Sequence, residues 1–191
     1  MRNLFLLSTM LFWLVQYVYA QEQKENIIKS LGIVKYIKNA KSVQVALAMN
    51  EERALHLGVS YAHFINTNAS ISFEMRYGSG NNYRGYIYNS LYNSIAINYL
   101  LPIKFIKNLY LGMGAGGVIA LDDIKGRITE GEKAIYYPKS SNGLQFILRP
   151  ELGLSEHFSI NINATQIHFL NAGDMIGRNR FQLGFGVIYF F

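Results

Sequence analysis

Cysteine is absent from the 191 residues, which excludes a disulfide framework, thiol catalysis, thiolate metal ligands and a lipoprotein anchor. Charge is sparse, at 16% of residues against 50% hydrophobic. Beyond the N-terminus no apolar run reaches the ~20 residues that a membrane-spanning helix needs. A chain this apolar must hide its hydrophobic side chains in another way. Alternation along strands does so, because each strand then shows only one apolar face. The formal charge of +6 is modest and implies no direct nucleic-acid binding.

The N-terminus reads as an export signal. Arg2 supplies the basic start, residues 4–14 are apolar except Ser8 and Thr9, and Val18-Tyr19-Ala20 forms a small-x-small cleavage site. Residues 1–20 are therefore expected to be a cleaved signal peptide, with Gln21 as the new N-terminus. Residues 21–41 form a polar periplasmic lead-in. Lys24, Lys29, Lys35, Lys38 and Lys41 crowd it, and a solvated linker fits them better than a headgroup or nucleic-acid patch.

From residue 42 a period of two dominates. Ile71, Phe73, Met75 and Tyr77 alternate with Ser70, Ser72, Glu74 and Arg76. Phe181, Leu183, Phe185, Val187, Tyr189 and Phe191 alternate with Arg180, Gln182, Gly184 and Gly186. Eight such segments occur, near 42–49, 55–64, 69–78, 93–101, 108–120, 142–154, 157–169 and 179–191. Most reach the ~9–11 residues that cross a bilayer at a tilt. The connections 65–68, 102–107 and 155–156 are short, whereas 79–92, 121–141 and 170–178 are long. Short periplasmic turns with long outer loops are the asymmetry of outer-membrane barrels. The reading is all-β: an eight-stranded antiparallel transmembrane β-barrel over residues 42–191, located in the outer membrane. Its expected partners are outer-membrane lipid and the barrel-assembly machinery. A soluble barrel would place the same apolar face inward. The many Gly, Ser and Ala residues on the polar faces suit a cramped lumen instead.

Glu74, Arg76, Arg149, Glu151 and Arg180 all lie on polar strand faces. An arginine facing lipid near the midplane would cost ~2–4 kcal/mol, so these residues are expected to form a structural charge network inside the lumen. Phe181, Leu183, Phe185, Val187, Tyr189 and Phe191 resemble the C-terminal assembly signal of such barrels. Pro150 removes a ladder hydrogen bond and is expected to mark a bulge or strand end.

No catalytic, cofactor or metal site emerges. Gly112, Gly114 and Gly117 match G-x-G-x-x-G, but a strand follows them rather than the helix that would meet a pyrophosphate. His56, His63, His157 and His168 lack metal-site spacing. No G-x-S-x-G elbow is present. Asp122, Asp123, Glu130 and Glu132 read as one solvated acidic loop.

Three blocks, Ile97-Asn98-Tyr99-Leu100-Leu101-Pro102-Ile103, Tyr110-Leu111-Gly112-Met113-Gly114-Ala115-Gly116-Gly117 and Arg180-Phe181-Gln182-Leu183-Gly184-Phe185-Gly186-Val187, resemble the conjugative transposon TraO family of Bacteroidota. The likeness runs from Asn93 onward, and the 21–41 lead-in departs from the family's short, basic, proline-containing start. The resemblance implies a non-enzymatic outer-membrane component of a conjugative DNA-transfer apparatus, with other conjugation proteins as partners. The alternative is a general small barrel serving adhesion, surface protection or membrane stabilisation.

Overall fold

The computed structural model describes residues 38–51, 54–81, 87–103, 105–106, 108–125, 136–155, 157–171 and 178–191. The expected signal peptide and nearly all of the lead-in lie outside the described residues. The strands are β1 (Lys41–Asn50), β2 (Leu55–Phe64), β3 (Ala69–Asn81), β4 (Ile87–Pro102), β5 (Leu109–Lys125), β6 (Tyr136–Gly153), β7 (Phe158–Phe169) and β8 (Asn179–Phe190). Each pairs antiparallel with the next, and β8 returns to β1, closing the barrel.

The alternation settles with its apolar face outward. Val45, Leu57, Phe73, Ile95, Ile119, Phe146, Ile162 and Phe185 are all exposed large hydrophobics, one from each strand in turn. Gln44, Ser72, Ser94, Gln145, Asn161 and Gln182 are buried. A soluble barrel would reverse this, since exposing so many large side chains to water forfeits about 1.5–3 kcal/mol for each one. The arrangement is that of a transmembrane β-barrel, in which lipid is the outer solvent.

Side chains close the turns at one end. Asn66 Oδ1 accepts hydrogen bonds from the amides of Asn68 (2.8 Å) and Ala69 (2.7 Å) between β2 and β3. Ser155 Oγ accepts from the amides of His157 (3.3 Å) and Phe158 (3.1 Å) between β6 and β7. Asn108, at φ 64°, supplies the left-handed residue before β5, a conformation asparagine tolerates well. The barrel is ragged at the opposite end. β7 leaves β6 after Gly143 pairs with Phe169, while β5 and β6 remain paired out to Lys125 and Tyr136.

Two expectations need correction. The acidic stretch is not wholly a loop, because Asp122 and Asp123 continue β5 opposite Lys139 and Pro138. Glu130 and Glu132 lie outside the described residues. Pro150 marks neither a bulge nor a strand end. β6 keeps one register against β5 through Pro150 to Leu152, and only the β7 ladder is interrupted, between Leu148 and Glu151. The missing amide costs a ladder bond without inserting a residue.

Candidate functional site in the barrel lumen

The inward face stacks side chains in levels from one rim to the other. At the short-turn end Phe64, Leu100, Ile188 and Phe190 form a buried apolar cluster, with Ala40 and Tyr110 packed against it. Phe64 and Phe190 meet at 6.1 Å between ring centroids. These residues fall on the lumen parity of their strands, where apolar groups can gather only with each other. They close the barrel floor.

Above them lies a polar level. Arg149 approaches Glu151 at 3.9 Å, and its Nη1 donates to Gln44 Oε1 at 3.3 Å. Gln44 Nε2 donates to Asn161 Oδ1 (3.3 Å), which also accepts from Asn163 Nδ2 (2.8 Å). Asn98 Nδ2 donates to Ser72 Oγ across β3 and β4 at 2.8 Å. Gly186 makes this level possible, because a Cβ there would stand 2.6 Å from Gln44 Nε2 and 3.0 Å from Asn161 Oδ1. The next level joins Glu74 to Arg76 at 2.6 Å, and Arg76 Nη1 reaches across to donate to Gln182 Oε1 on β8. Small residues on the polar faces thus leave room for large polar ones.

Nearer the long-loop end sits a clasp between β4, β5 and β8. Arg180 donates through Nη1 and Nη2 to the two carboxylate oxygens of Asp122, at 3.0 and 2.9 Å. The same Nη1 donates to the Tyr92 hydroxyl at 2.5 Å. Ser90 Oγ donates to Asp122 Oδ1. The Arg180 guanidinium also lies 4.6 Å from the Phe169 ring centroid. Asp122 has 0% side-chain exposure. A planar fork on a carboxylate is the strongest geometry such a pair can take. Tyr92, Val118, Ala120, Ile167 and Phe169 pack around it as a second apolar cluster.

All five charged residues singled out in the sequence therefore face inward. Glu74 meets Arg76, and Arg149 meets Glu151. Arg180 pairs with Asp122 rather than with a glutamate. Sequence reasoning missed Asp122 because a double aspartate followed by a charged stretch reads as a loop. Its inward parity, two residues after Ala120, was the available signal. His56 also faces the lumen. It is fully buried, packs edge-on against Tyr92 at 5.6 Å, and occupies the space a Gly78 side chain would need. The β8 residues Phe181, Leu183, Phe185, Val187 and Tyr189 face outward, and Tyr189 packs against Phe158 and Phe191 at 5.1 and 6.2 Å.

The lumen that remains is small. The void bordered by Gln44, Arg76, Asn98 and Arg149 has a volume of about 20 Å³, room for a single water. No group of metal-ligating side chains occurs among the described residues.

No protein-family model and no curated sequence matches the chain. Solved structures do match its fold. The N-terminal β-barrel domain of Pseudomonas aeruginosa OprF aligns with a TM-score of 0.58 and 12% identity, over 81% of this chain and 98% of that one. Neisserial surface protein A aligns at 0.59 and 11%, over 80% and 95%. A major outer membrane protein from Thermus thermophilus aligns at 0.62 and 9%, over 80% and 99%. At these identities the likeness is one of fold: this chain adopts the eight-stranded barrel found in those outer-membrane proteins.

Proposed function

We propose that this protein is a non-enzymatic outer-membrane barrel that works through its rims and outer loops, not by passing solutes through its lumen. The observation that carries this is the filled interior. An apolar floor, polar middle levels and the Arg180–Asp122 clasp occupy successive heights of the lumen. The lipid-type exterior, the export signal read in the sequence and the fold shared with outer-membrane proteins support the location. The outward apolar face of β8 supports a role as the strand offered to the barrel-assembly machinery.

The finer reading is a component of a conjugative DNA-transfer apparatus, supported by the TraO resemblance. DNA would not pass through so narrow a lumen, so partner proteins would form the conduit. The test is transfer frequency from a donor carrying an in-frame deletion, with complementation. Loss of transfer, restored by the gene, supports the conjugative role. Unchanged transfer removes it and leaves a general small barrel of adhesive, protective or membrane-stabilising kind.

A further inference from the structure

Turns that face water are ordinarily polar. At the short end of this barrel the β2–β3 and β6–β7 turns follow that rule, with Asn66 and Ser155, but the β4–β5 turn does not. Phe105 is 98% exposed and Ile106 53% exposed in the β4–β5 turn. Ile65, after β2, and Leu154, after β6, are exposed as well. These residues continue the apolar outer wall beyond the last ladder pairs, so the lipid-facing surface does not stop where the strands stop. In the sequence the Phe105-Ile106 pair also has a lysine on each side, Lys104 and Lys107. Apolar side chains flanked by long cationic ones match a membrane interface, with hydrocarbon on one side and headgroup phosphates on the other.

We propose that the β4–β5 turn is an interfacial membrane anchor, with Phe105 and Ile106 seated among the phospholipid headgroups and upper acyl chains of the leaflet at the short-turn end. The occupant is phospholipid rather than a protein, because the patch runs on from the lipid-facing wall and its flanking charges complement phosphate. The anchor sets the depth of the barrel: this end lies flush with the leaflet, and the raised part of the wall stands clear on the other side. The inference rests on the membrane reading above.

The chain's one tryptophan is Trp13. A Trp13→Phe background therefore leaves an introduced indole as the sole reporter. Phe105→Trp and, as a control on the wall, Ile95→Trp are refolded into phosphatidylcholine vesicles containing phosphatidylglycerol, with bromine at defined acyl-chain depths. The expected result is loss of emission from both, strongest for Phe105→Trp with shallow bromines and for Ile95→Trp with deep ones. If Ile95→Trp is quenched while Phe105→Trp emits as in water and is quenched only by aqueous iodide, the anchor is overturned, the barrel still sits in the membrane, and the turn is free for a periplasmic protein. Quenching of neither overturns the anchor and the membrane reading together.

Discussion

Arg180 illustrates how much one side chain can hold in a lumen without bulk water. Its guanidinium is satisfied by Asp122, Tyr92 and the Phe169 ring, residues from three other strands. Removing Asp122 alone leaves a buried cation without its counter-charge, which costs about 3–5 kcal/mol. Asp122→Ala is thus expected to lower the urea midpoint of the refolded barrel strongly. Asp122→Ala combined with Arg180→Leu should recover much of the loss, and additive losses would show that the pair is not coupled. The adjacent glycines of β5 allow a second contrast. A Cβ at Gly116 would overlap the Ile95 carbonyl oxygen, a backbone atom that cannot swing aside, whereas Gly117 faces open space outside the barrel. Gly116→Ala should destabilise by roughly 1–3 kcal/mol. Gly117→Ala should stay within about 1 kcal/mol of neutral. Equal effects in equilibrium unfolding would mean the two strand faces are not distinguished as described.

Strand lengths divide the barrel wall into two parts. β1 and β2 have 10 residues, near the minimum for a tilted crossing, whereas β4, β5 and β6 have 16, 17 and 18. The excess lies at the long-loop end and raises the β4–β6 wall about 20 Å above the opposite rim. Its base carries Ser90 and Asp122 of the lumen clasp, while its tip, residues 124–125 and 136–137, pairs only within β4–β6. Replacing residues 124–137 with an Asn-Gly turn should leave the heat-modifiable gel mobility of the folded barrel intact, and loss of that folded band would mean the hairpin is needed for closure. The outward period-two faces of all eight strands were legible in the sequence, because lipid-facing parity admits few exceptions. The raised wall was not, because Asp122, Asp123, Pro138 and Lys139 are poor strand formers that local reading assigns to a loop. The lumen charges were legible as to face but not as to partner. Whether Arg180 meets Asp122 or Glu151 depends on the register of β5 against distant strands, which no local pattern encodes.

At the scale of the whole molecule, two apolar clusters separated by bonded polar levels make the lumen a core rather than a pore. Planar bilayers containing the refolded protein are expected to carry no stable stepwise ion current at neutral pH. A persistent single-channel conductance would contradict the filled interior. The closing seam has a further consequence, one of timing. Ser42 pairs with Phe190 and Asn50 with Gln182, so nearly the whole barrel sequence intervenes between the two strands that meet there. Contacts of such long sequence separation form late, because the intervening chain must be gathered first. Until β8 is available, β1 has no neighbour on its outer flank and the sheet keeps two open edges. The interval between appearance of the first strand and arrival of the eighth is when this greasy, edge-exposing chain can pair with the wrong partner. Anything that slows delivery of the final strand lengthens that interval in direct proportion.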